Sequence, residues 1–100
     1  MKYKLGDKFP ARWKGDLYED DGDYWSDCTI IIDGKEYDSM LYVTNILKIC
    51  FTEGLPPLKE VGVAVLKDID DYFINFVPEE WINLKSPPFC SIVIVELEDE

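Results

Sequence analysis

Histidine is absent from the chain, and with it the side chain that most often moves protons near neutral pH. Acid–base chemistry would fall to carboxylates, tyrosine or lysine, and the carboxylates here cluster in stretches that read as solvated loops. There is no glycine-rich phosphate loop and no serine or cysteine in a nucleophile motif, so an enzyme is not expected and no cofactor is implied. Cysteine is scarce: Cys28, Cys50 and Cys90 are odd in number and widely spaced, with Ile30, Ile49, Phe51, Phe89 and Ile92 beside them. Such thiols behave as small buried hydrophobes of a reducing compartment, which argues against a disulfide framework. Without histidine or a Cys-x-x-Cys pair, a zinc site has no ordinary ligand set. Long apolar runs are also missing. The longest, around Ser91 to Val95, is too short to span a bilayer, and Met1-Lys2-Tyr3-Lys4 is charged where a signal peptide would be apolar. A soluble, cytoplasmic protein is expected.

What the chain has in excess is acid. Over 100 residues, 21 acidic groups face 10 basic ones, for a net charge of −11. The imbalance is uneven: residues 1 to 14 set Lys2, Lys4, Lys8, Arg12 and Lys14 against Asp7, so the body beyond them carries all of the negative excess. A field of that sign repels nucleic acid and anionic membranes and attracts basic protein surfaces. Hydrophobic residues make up 47% of the chain, enough for the core of one domain spanning residues 1–100.

Along the chain, Leu5 precedes a Gly6-Asp7 turn signal, after which Phe9, Ala11 and Trp13 alternate with Lys8, Arg12 and Lys14; this is a strand with one wet face. Pro10 restricts that strand to an edge or a bulge. Residues 16 to 27 then read as an acidic loop containing Gly22. Cys28-Thr29-Ile30-Ile31-Ile32, Asp33-Gly34 and Lys35-Glu36-Tyr37 predict a hairpin around a type I′ turn, because Asp-Gly tolerates the positive φ angles that such a turn needs. Over 40–53, Val43, Ile46, Leu47 and Cys50 recur at helical spacing, with Ser39 as a cap and Gly54 and Pro56-Pro57 as a stop, and predict a helix. Val61, Val63 and Val65, a polar turn at Lys67 to Asp71, and Tyr72 to Val77 form a second hairpin; Gly62 and the repeated valines argue against the alternative helix. Pro78 opens a short helical turn through Glu79, Glu80, Trp81 and Ile82. Ser91 to Leu97 predicts a near-continuous apolar strand in the centre of the sheet.

The most unusual chemistry is the stretch where Asp16, Glu19, Asp20, Asp21, Asp23 and Asp27 surround Tyr18, Tyr24 and Trp25 with no basic residue among them. Calcium is one use for such a loop, but counting back from Gly22 puts Leu17 at the first EF-hand ligand position. A metal site is therefore not expected, and a solvated loop is the better account. Contact with a basic partner remains, with Asp68, Asp70 and Asp71 of the second hairpin, Glu79-Glu80 and the acidic C-terminus supplying further charge, and with Tyr24, Trp25 and Trp81 as anchors.

Lys4-Leu5-Gly6-Asp7-Lys8-Phe9 with Ala11-Arg12-Trp13, an acidic loop, Tyr24-Trp25 and the strand-turn-strand from Thr29 to Tyr37 resembles the opening of Tudor-type and other SH3-like small barrels. The resemblance covers about a third of the chain and implies an aromatic cage for a cationic ligand at Trp13, Tyr18, Tyr24 and Trp25. The alternative is that Trp13 is core and Tyr18 and Trp25 cover it. The helix at 40–53 and the long C-terminal half exceed a minimal barrel. Taken together, the residues predict an α+β domain: a small, bent antiparallel sheet of five to six strands, able to close as an SH3-like barrel, with one helix near 40–53. Three functions are compatible with it. The first is a non-enzymatic acidic inhibitor of a basic partner, such as a nucleic-acid-binding enzyme or defence protein, acting as phage or mobile-element inhibitors do by imitating nucleic acid. The second is a module binding a cationic peptide or small ligand, and the third is a structural subunit of an assembly.

Overall fold

The computed structural model describes residues 3–14, 18–43, 59–84 and 87–98. They form a mostly antiparallel sheet of seven strands: β1 (Lys8–Trp13), β2 (Tyr18–Asp20), β3 (Asp23–Ile32), β4 (Lys35–Val43), β5 (Val61–Ile69), β6 (Phe73–Pro78) and β7 (Cys90–Val93). A single 3-10 turn, Glu79–Trp81, and a short C-terminal helix α1, Ile94–Glu98, complete it. The long strand β3 is the spine. β4 pairs with it from Tyr24↔Val43 to Ile32↔Lys35, while β2 (Tyr18↔Trp25) and β1 (Trp13↔Cys28) share its other edge. The sheet continues through β1, β5 and β6 to β7.

The expected alternation in β1 holds. Ala11 and Trp13 are buried and Lys8, Pro10 and Arg12 exposed. The β1–β3 ladder ends at Ala11↔Ile30, next to Pro10, which has no N–H to extend it. Both hairpins predicted from sequence form, the second turning at Asp70 to Tyr72 and not at Lys67 to Asp71, because Lys67 to Ile69 continue β5. Asp33 (φ 52°) and Gly34 (φ 81°) adopt the positive angles of a type I′ turn. β5 and β6 pair from Ala64↔Pro78 to Ile69↔Ile74, with a bulge between Leu66 and Asp68. Asp70 closes their turn by accepting the N–H groups of Tyr72 and Phe73 on its carboxylate at 2.8 and 2.7 Å, an Asx turn.

Five expectations change. β1 is not an edge strand despite Pro10: it pairs with β3 on one side and β5 on the other, and the proline sits where the β3 ladder has already ended. The helix expected over 40–53 does not begin there: Ser39 to Val43 continue β4, because every one of these residues has a partner on β3, and pairing over a long strand outweighs weak helical spacing in β-branched residues; the remainder lies outside the described residues. The acidic loop expected over 16–27 is, from Tyr18 to Asp27, the tight hairpin β2–β3, turning at Asp21 (φ 50°) and Gly22 (φ 84°); its first two residues lie outside the described residues. The apolar C-terminal run is strand only to Val93; Ile94 donates its N–H to the Tyr72 carbonyl (2.8 Å) and α1 begins. β7 is not central, since among the described residues its only ladder is with β6. Finally, the sheet curls until β4 and β7 touch at one isolated bridge, Tyr42↔Phe89; no ladder joins them among the described residues, so it is not a closed barrel.

The inner face holds the core: Trp13, Cys28, Ile30, Ile32, Leu41, Leu66, Ile74, Phe76, Cys90 and Ile92, with Trp81 entering from the 3-10 turn. Each large side chain buried this way contributes about 1.5–3 kcal/mol relative to exposure. Trp13 lies against Gly62, where an added Cβ would come within 2.8 Å of Nε1. Cys28 and Cys90 are buried and unoxidised, as expected; contact with the Cys28 thiol, together with burial, pushes the Cys90 thiol well up.

Candidate functional site

The outer face of β3 and β4 carries the side chains that do not enter the core. Because β3 and β4 pair about the Asp33-Gly34 turn, the register sets Trp25 opposite Tyr42, Asp27 opposite Met40 and Thr29 opposite Asp38. The bridge then brings Phe89 to the same surface. The result is an open cleft of about 860 Å³ whose lining includes Trp25, Asp27, Asp38, Met40, Tyr42 and Phe89.

One wall is aromatic. The Trp25 and Tyr42 rings lie 4.9 Å apart at 60°, and Tyr42 meets Phe89 at 5.7 Å and 59°, tilted contacts that present ring faces and edges together. The rest is acidic and polar. The Tyr42 hydroxyl donates to Asp23 Oδ1 at 3.1 Å, and this bond, with desolvation second, raises the phenol above its ordinary value. Tyr18, across the ladder from Trp25, donates to Asp27 Oδ1 at 3.2 Å and lies 2.9 Å from Met40 Sδ; desolvation first and then the Asp27 charge raise its phenol. Thr29 donates to Asp38 Oδ1 at 3.0 Å. Among the described residues, Lys14 is the only basic one in the lining. The two cations of β1 are engaged on the surface, Lys8 with Glu79 at 2.8 Å and Arg12 with Glu36.

The residues expected to bind a partner fall into two groups. Glu19, Asp20 and Asp21 sit exposed at the tip of the β2–β3 hairpin, and Asp23, Trp25 and Asp27 lead from that tip into the cleft. Asp68, Asp70 and Asp71 are at the β5–β6 turn. β1 pairs with both β3 and β5, and its Trp13 end points toward the first tip and its Lys8 end toward the second. The two acidic clusters are therefore at opposite ends of the strands and do not form one site. Asp16 lies outside the described residues. Tyr24 packs half-buried against the core, and Trp81 is 2% exposed, so neither is a surface anchor. Trp13 is also 2% exposed; the four-ring cage implied by the resemblance does not assemble.

Tyr42, Met40, Asp38 and Phe89 were not singled out from sequence. For the first three the signal was present. Counting outward from Asp33-Gly34 pairs Trp25 with Tyr42, provided that residues 40 to 43 are taken as strand. Phe89 had no local signal, because it arrives through the curl of the whole sheet. Among the described residues no three potential ligands are grouped to hold a metal ion, and no helix is long and apolar enough to cross a membrane. Comparison with family models, curated proteins and solved structures finds no match.

Proposed function

We propose that this protein is a non-enzymatic acidic binding protein that takes a basic segment of a partner protein into the cleft of β3 and β4 and inhibits the partner by covering its basic surface. The observation that carries this reading is the aromatic wall of Trp25, Tyr42 and Phe89 facing the carboxylates of Asp27 and Asp38. An arginine or lysine side chain has matching halves: an apolar stem to lie on rings and a cation to face carboxylates. The net charge of −11 raises the encounter rate with any basic surface and penalises acidic ones. A partner evolved to hold nucleic acid offers such a surface, which is the sense in which the protein imitates nucleic acid.

An arginine-rich peptide, titrated while tryptophan fluorescence is followed, tests the cleft. Trp25→Ala and the pair Asp27→Asn with Asp38→Asn should each weaken binding about tenfold, the loss of one or two charge-assisted contacts. Equal affinity in all three proteins would sink the proposal.

A further inference from the structure

The strand β4 has an unusual free edge. In its two-residue hairpin with β3, Lys35, Tyr37, Ser39 and Leu41 direct their N–H and C=O groups toward β3. The alternate residues Glu36, Asp38, Met40 and Tyr42 direct theirs the other way. Tyr42 confirms the phase, since it exchanges both bonds with Phe89 (2.7 and 3.3 Å). There the pairing of β4 with β7 stops. Beyond the bridge β7 still runs beside β4 as far as Ser39, whose hydroxyl donates to the Ser91 carbonyl at 2.8 Å, but no backbone ladder joins them. Past Ser39, the backbone groups of Glu36 and Asp38 have no ladder partner among the described residues.

Sheet edges are usually blunted by shortness, proline, lysine or a bulge. β7 and β2 are blunted by shortness, at 4 and 3 residues. β4, with 9 residues, has no proline or bulge and only Lys35 beside its turn. Its open edge borders the cleft, whose lining includes Asp38, Ser39 and Met40 on one side and Phe89 and Ser91 on the other. Glu36 and Asp38 stand exposed along it.

We infer that the basic segment binds as an added strand, pairing its backbone with Glu36 and Asp38 while its alternate side chains enter the cleft. This rests on the reading of the cleft given above and names the conformation of its occupant. An extended chain places every second side chain on one face, so a segment alternating arginine or lysine with small apolar residues puts its cations beside Asp27 and Asp38 and its apolar residues on the inner side. Charge selects this occupant over a second copy of the chain: self-pairing of two β4 edges would bring Glu36 and Asp38 against their own copies, and like charges across a ladder destabilise it.

The experiment uses the full chain and the peptide acetyl-Arg-Val-Arg-Val-Arg-Val-Arg-amide, with two analogues N-methylated on the arginines or on the valines. N-methylation removes donors along one peptide edge and leaves the charge unchanged. Calorimetry at low and high salt should show salt-weakened binding, and one of the two analogues should bind about tenfold more weakly than the parent while the other does not. Amide hydrogen exchange at Glu36 and Asp38, fast in the free protein, should slow on binding. If the parent binds but both analogues match it and those amides stay unprotected, strand addition is overturned and the cleft reading survives. Absence of salt-sensitive binding by any of the three peptides overturns both. Protection of the two amides without peptide, rising with protein concentration, would instead assign the edge to a second copy and overturn the inference.

Discussion

Tyr42 links three parts of the molecule: its ring stacks between Trp25 and Phe89, its backbone makes the bridge to Phe89, and its hydroxyl donates to Asp23. The bond to Asp23 favours the protonated phenol and lifts its pKa above the ordinary 10.0. A group whose folded pKa is raised adds stability that is complete below its unfolded pKa and lost as pH rises through the folded one. Urea unfolding should therefore show stability falling above pH 10.0, and the fall should be smaller in Tyr42→Phe, which has no proton to lose there. At the opposite side of the sheet, Gly62 leaves room for the Trp13 indole. Gly62→Ala should destabilise by about 1–3 kcal/mol, the usual cost of overfilling a packed core, read as a lowered urea midpoint with altered Trp13 emission.

Two Asp-Gly turns set the register of the elements. Asp21-Gly22 and Asp33-Gly34 both take positive φ at each central residue, and each ends a hairpin that runs into β3. Gly34→Ala forces a side chain into the left-handed region at about 1–2 kcal/mol, and because β3–β4 is the longest ladder this loss should appear in the global unfolding midpoint. Gly22→Ala carries the same local cost but acts on a strand of three residues, so amide exchange should rise at the β2–β3 tip with little change in the midpoint. The second of these hairpins was legible from its residues because Thr29-Ile30-Ile31-Ile32 on one side and Tyr37 on the other favour strand around the Asp-Gly pair. The first carried the same dipeptide, yet its carboxylates read as a loop; Tyr18, Tyr24 and Trp25, all strand-favouring residues, were the overlooked signal. The helix expected from residue 40 failed for a related reason. Helical spacing among β-branched residues is weak information, whereas pairing opposite an established strand is strong.

On the scale of the whole molecule, the two carboxylate tips lie at opposite ends of a structure whose longest extent is 41 Å. Only the β2–β3 tip adjoins the cleft. Charge reversal therefore separates local from overall electrostatics: Asp20, Asp21 and Asp23 to lysine should abolish binding of the arginine-rich peptide at moderate salt, whereas Asp68, Asp70 and Asp71 to lysine should mainly slow association, since those charges lie beyond the Debye length of about 8–10 Å. Stopped-flow fluorescence distinguishes the two. By itself the sequence determined the acidity of the surface, the inward alternation of β1, the Asp33-Gly34 turn, the β5–β6 hairpin and the burial of Cys28 and Cys90, because each of these depends on neighbours in the chain or on composition. Only the tertiary structure decided that Tyr24 turns inward, that Phe89 joins Trp25 and Tyr42, and that the edge of β4 stays open beside them. Those outcomes depend on how far the sheet curls, and curl is the accumulated twist of every strand pair, which no local stretch of residues contains.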